Sequence, residues 1–152
     1  MGRLLVVVAG SVIGIGVSPA FAWWQYAEWG MSPMRLVAAS AGHAVPCRPD
    51  VPVCAAPPGG RQPTYMVESL IMVGMSGSAS FAFDDDRLVQ TVVLFPTADI
   101  GLLTGLLQGI HGKPIDEAPA GRVWRDEDRG STITALPVGS GSMMIYRPTS
   151  GR

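Results

Sequence analysis

The order in which tight-turn signals separate apolar runs constrains this chain more than any other feature. Tyr65 to Val73 is apolar-rich, and Gly74-Met75-Ser76-Gly77 reads as a turn. Ser78 to Asp84 then alternates, with Ala79, Phe81 and Phe83 on one face and Ser78, Ser80 and Asp84 on the other. Asp85-Asp86 makes the next turn, and Arg87 to Phe95 is β-branched and apolar. The same rhythm returns near the end of the chain: Arg122 to Asp126, a polar turn to Gly130, Ser131 to Leu136, the turn Gly139-Ser140-Gly141, and Met143 to Arg147. Each set of three is short, closely spaced and one-sided, as an antiparallel meander with one buried face requires.

A helix signal precedes each set. Ser32 is a good N-cap and Pro33 a good first residue, and Gly42 can stop the helix, which predicts a helix over about 33–41. Its apolar positions 34, 37, 38 and 41 are expected to share one face. Thr97 or Asp99 can cap a second helix, from Ala98 to about His111. Its stripe is Ile100, Leu103, Leu107 and Ile110, with Leu102 and Leu106 beside it, and Gly112 and Pro114 end it. The predicted fold is therefore α+β: an antiparallel sheet with helices on one face, built from tandem α-β-β-β units at 23–95 and 96–152 that form one compact domain. Phe81, Phe83, Val92, Leu103, Leu107 and Trp124 are the expected core.

Residues 1–22 have the three parts of a secretory signal peptide: Arg3, the uncharged run Leu4 to Val17, and Pro19 before Ala20-Phe21-Ala22. The apolar run is too short for a spanning helix, covering roughly 21 Å of a ~30 Å hydrocarbon core. The mature chain is expected to begin at Trp23 in the periplasm or outside the cell, without a stable membrane anchor. Export places Cys47 and Cys54 where disulfides persist. They lie in a stretch broken by prolines 46, 49, 52, 57 and 58, which favours an extended or turning loop. A Cys47–Cys54 disulfide is the expectation. A metal site from His43, Cys47 and Cys54 matches no structural zinc pattern, and free thiols are the remaining alternative.

Charged residues are only 15% of the chain and the formal net charge is −1, which argues against a nucleic-acid surface. The histidines are His43 and His111, and no G-x-S-x-G elbow follows the signal segment. A His at a helix end is favoured by the dipole alone, so His111 needs no catalytic reading. Asp84-Asp85-Asp86 and Asp126-Glu127-Asp128 sit at turns, which favour Asp for backbone reasons, and lack calcium-loop spacing. No glycine cluster follows the strand–GxGxxG–helix order of a dinucleotide site. Neither a catalytic residue nor a metal or cofactor is expected. Trp23, Trp24 and Tyr26 are the candidate interaction residues, because grouped aromatics can anchor partners or sugars. The alternative is that they cover the sheet or first helix, as Trp29 is expected to do beside its cap.

Trp29-Gly30-Met31-Ser32-Pro33 with Val37, followed by Phe81-Ala82-Phe83-Asp84-Asp85-Asp86-Arg87-Leu88, resembles the BLIP-like (β-lactamase-inhibitor-protein-like) and SmpA/OmlA families. Leu102 to Leu107, Gly112-Lys113-Pro114, Trp124 and Ile145-Tyr146 extend the likeness, which spans most of 29–147. Members of those families include a secreted enzyme inhibitor and a lipoprotein that supports outer-membrane β-barrel assembly, and both bind other proteins. The resemblance thus implies an envelope protein partner. The lipoprotein cysteine is absent here and the inhibitor's cysteine spacing is not reproduced, so no family functional residue carries over. Together these readings point to an exported, non-enzymatic protein-interaction or inhibitor-like module. The alternative is a small periplasmic hydrolase or ligand-binding protein using the Pro-rich loop and sheet face.

Overall fold

Two-residue turns set the sheet. Val73 and Gly74 join β2 (Tyr65–Met72) to β3 (Met75–Asp84), with φ of 48° and 77°. Two successive left-handed residues twist the chain as a tight hairpin needs, and glycine adopts that conformation without steric cost. The turn is shorter than the predicted Gly74–Gly77, and Met75 and Ser76 belong to the strand. Asp85 and Asp86, at φ of 48° and 58°, likewise join β3 to β4 (Arg87–Phe95), where Asp tolerates the left-handed region better than most side chains.

The computed structural model describes residues 26–118 and 121–150. The signal segment, Trp23 and Trp24 lie outside them. The remaining elements are α1 (Pro33–Ala39), β1 (Val45–Pro46), α2 (Ile100–His111), β5 (Asp116–Ala118), β6 (Gly121–Asp126), β7 (Ser131–Val138) and β8 (Gly141–Pro148). They form one eight-stranded sheet in the order β1-β2-β3-β4-β8-β7-β6-β5, antiparallel at every pairing. The fold is α+β, as the turn rhythm predicts. The two meanders meet where their last strands pair, from Thr91 opposite Tyr146 to Phe95 opposite Ser142. Each half therefore runs inward from its own edge. β1 and β5, two and three residues long, are edge additions that no periodicity could reveal.

Both helices lie on one face. Leu36 from α1 and Leu103 and Leu107 from α2 share a core with Phe81, Val93, Phe95, Trp124, Ile133 and Met144. Burying each such side chain contributes roughly 1.5–3 kcal/mol. Asp99 caps α2 by accepting from Leu102 N at 2.9 Å, and Trp124 Nε1 donates to Gly112 O at 3.0 Å, fixing the far end. Tyr146 is buried in the same core, and desolvation, the largest influence, raises its phenol pKa well above the ordinary value.

Three packing expectations need correction. In α1 the inward residue is Leu36, while Met34 is 83% exposed, Ala38 and Ala41 are exposed and only Val37 is half-buried. The helix is seven residues long, and its entry is fixed by backbone bonds from Gly30 N to Leu88 O and from Leu88 N to Met31 O. That anchorage, rather than the apolar count, sets which side turns inward. Phe83 is only half-buried, because it lies one residue from the end of β3 beside a bulge, and it meets Tyr65 edge to face, with ring centroids 5.9 Å apart. In α2, Leu102 and Ile110 are exposed and Thr104 takes the buried place between Leu103 and Leu107. Its hydroxyl is satisfied by Ile100 O at 2.8 Å.

Candidate interaction surface

The face of the sheet opposite the helices is covered over its first half by the proline-rich loop. Cys47 and Cys54 are disulfide-bonded, with Cα atoms 5.8 Å apart. Neither thiolate is free for a metal. A bond of this kind fits an oxidising location. Pro52–Cys54 turns as a short 3-10 helix and buries Val53 and Cys54 against Met66, Val92, Leu94, Met143 and Ile145. The disulfide sulfur of Cys54 packs 3.5 Å from Met66 Sδ. What looks in sequence like an irregular loop is thus a second layer with its own small core.

Polar contacts hold this cover down. Gln90, 1% exposed, donates from Nε2 to Arg61 O and accepts at Oε1 from Arg61 N, both at 3.0 Å. The buried amide has therefore found the two backbone groups it needs. Gln62 Nε2 donates to Cys54 O at 2.6 Å. At the rim Arg48 pairs with Glu68, and Arg61 pairs with Asp84 at 3.0 Å. All four side chains of these rim pairs are more than half exposed, and such pairs contribute little. Gly60 is the point of closest approach. A Cβ there would lie 2.5 Å from Gln90 Oε1 and 2.9 Å from Arg147 Nη2.

Past β8 the cover ends. The 3-10 turn lies against β2, β3 and β4, whereas α2 lies against β6, β7 and β8 on the other face. Register places Arg125, Thr132 and Arg147 in one cross-strand row on this face, with Arg147 meeting Gly60 at the edge of the loop. Val123, Thr134 and Ile145 form the next row, and Leu136 and Met143 the one after; Ile145 and Met143 lie beneath the loop, and Leu136 packs against its core. Arg125 is exposed, and Val123, Thr132, Thr134, Leu136 and Arg147 are half-buried. Among the described residues, this is a broad mixed surface of threonine, valine, leucine and arginine.

Other concave features are already committed to internal contacts. A cleft of about 320 Å³ separates the start of α2 from β6 and β7, lined by Ile100, Gly101, Thr104, Gly121, Arg122, Ala135 and Pro137. Its charged group, Arg122, faces Glu117 at 3.9 Å, and its hydroxyl, Thr104, is bonded within the helix. A depression of about 300 Å³ beside the disulfide is lined by Cys47, Arg48, Pro49, Cys54, Gln62, Pro63 and Thr64. There Gln62 is engaged with Cys54 O and Arg48 with Glu68.

The residues singled out in sequence do not converge on one site. Tyr26 is half-buried and packs against the helix-side core, and desolvation raises its pKa. Trp29 packs there too, and its Nε1 donates to Ser131 Oγ at 3.0 Å, tying the first unit to the second. His43 is exposed before β1, and His111 closes α2. Asp84 pairs with Arg61, Asp85 and Asp86 form a turn, and Asp126 pairs with Arg129 at 3.9 Å. Sequence reasoning passed over Arg125 and Arg147. Strand alternation held the signal, since Trp124 and Tyr146 turned toward the core send their neighbours to the opposite face. Among the described residues no helix is long and apolar enough to cross a membrane. Comparison of the chain with protein-family models, with curated proteins and with solved structures finds no match.

Proposed function

We propose that the protein is an exported cell-envelope module that works by binding another protein, as an inhibitor or assembly factor does, and carries out no chemistry of its own. The observation that carries this reading is the uncovered face of β6 and β7. One part of the sheet surface is covered by a disulfide-braced loop, while the adjoining part presents Val123, Thr132 and Thr134 without a covering element among the described residues. A broad face of mixed polarity suits a protein partner better than a small molecule, which needs a concave site with convergent polar groups. The signal-like character of residues 1–22 and the disulfide support export to the periplasm or beyond. The resemblance to the BLIP-like and SmpA/OmlA families supports the binding role by analogy of fold pattern.

The test is capture of a partner from an envelope extract by immobilised mature protein, identified by mass spectrometry and reconstituted from purified components. A defined one-to-one complex supports the reading. Failure to retain any protein overturns it, and turnover of a small substrate would favour the enzyme reading instead. N-terminal sequencing of the exported protein checks the first step, with Trp23 the expected start.

A further inference from the structure

We propose that Arg125 and Arg147, on either side of Thr132, form a seat for an acidic segment of the partner protein. This rests on the binding role proposed above and names the chemistry of its partner. The two arginines occupy neighbouring strand positions across β6, β7 and β8. Two strand spacings separate their backbones by about 9–10 Å.

Both lack a carboxylate partner. Arg35, Arg48, Arg61, Arg122 and Arg129 each pair with a carboxylate, whereas Arg125, Arg147 and Arg87 pair with none among the described residues, and Arg87 stands apart from the other two in the β3–β4 hairpin. Asp116, opposite Val123, lies on the same face and forms no ion pair with either. In a chain with 12 acidic and 11 basic residues, two unpaired cations in one row are a local excess. Arg147 is also held in place. Its guanidinium sits against Gly60, and its Nη2 is buried without an acceptor among the described residues. A partly desolvated cation is costly to leave unpaired, and a carboxylate brought to the half-buried Arg147 side chain offsets that cost. Guanidinium groups suit this task because their planar donor pairs match a carboxylate's two oxygens.

The beginning of the face is cationic and the next row brings in half-buried Val123, while Ile145 in that row lies beneath the loop. An acidic segment with an adjacent apolar side chain complements both parts. An anionic bilayer is the less fitting occupant. Membrane-surface patches draw on roughly four to eight clustered Lys or Arg residues, and this row offers two.

The proposal is tested with isotope-labelled mature protein, titrated separately with poly-glutamate, poly-lysine and phosphatidylglycerol vesicles while backbone amide shifts are followed. Poly-glutamate should move the amides of Arg125, Thr132 and Arg147, with an effect that fades as salt is raised. Arg125→Glu, an exposed change that should leave the fold intact, should weaken that binding by about tenfold or more. Arg87→Glu, in the β3–β4 hairpin, should leave it unchanged. Shifts centred elsewhere, equal binding by Arg125→Glu, or vesicles producing these shifts when poly-glutamate does not would each overturn the seat. Capture from envelope extract separates this proposal from the broader one. A partner held by the wild type and lost by Arg125→Glu supports the seat. A partner held equally by both overturns the seat and leaves the binding role standing, and no partner at all removes the binding role.

Discussion

The two halves of the sheet are built on the same element order and finished differently. In the first, β2–β4 are covered on one side by the core that α1 joins and on the other by the disulfide-braced loop. In the second, β6–β8 are covered by α2 on one side, and past Ile145 and Met143 the opposite side has no second layer among the described residues. The strands themselves do not foretell this. Met66, Val92 and Leu94 face the loop because prolines and a disulfide hold a layer over them, while Thr132, Thr134 and Arg125 occupy equivalent positions in the open half.

The largest expected effect tests whether the open half is as rigid as the closed one. Trp124 is 1% exposed and fixes the end of α2 through Gly112 O. Trp124→Ala should cost about 3–5 kcal/mol in chemical denaturation. A loss below 1 kcal/mol would show that one-sided cover leaves this core loose.

The double change Cys47→Ala with Cys54→Ala should cost about 2–3 kcal/mol and leave the protein folded. Hydrogen exchange should quicken in the loop and at β2, while β6 and β7 keep their protection. Equal loosening of both halves would break the contrast. Gln90→Ala is the sharper probe of the same layer, because it leaves the backbone groups of Arg61 without their partners. A loss of about 1–3 kcal/mol is expected, with faster proteolysis between residues 57 and 63. The smallest effect is at the cap of the second helix. Asp99→Ala should lower stability by about 1 kcal/mol, read as a lower melting temperature.

Local chemistry made part of this architecture legible in sequence. Ser32 and Asp99 mark where helices begin, Asp85-Asp86 marks a hairpin, and Ala79 and Phe81 alternate as a half-buried strand must. Three features depend on distant partners and had no local signal. Leu36 turns inward because Gly30 and Met31 bind the backbone of Leu88. Val53 becomes a core residue because the disulfide and Gln90 bring its loop onto Met66 and Val92. Arg125 and Arg147 become neighbours only once β7 lies between their strands. The cysteine pair was readable because the signal-like segment implies an oxidising location and the two cysteines lie only seven positions apart. The open face was not, because a strand does not record whether anything lies above it.

The meeting of the halves at β4 and β8 also bears on how the chain reaches its fold. Within each half, successive strands are joined by short turns, so their contacts close small loops early. Thr91 and Tyr146 are 55 positions apart, and their pairing belongs to the only strand seam that joins the two halves among the described residues. Loop-closure entropy and contact order place the bottleneck there: two meanders form locally and then zip along one central seam. Until it closes, Val93 and Met144 stand on open strand edges, the state in which such a protein is most exposed to pairing with the wrong chain.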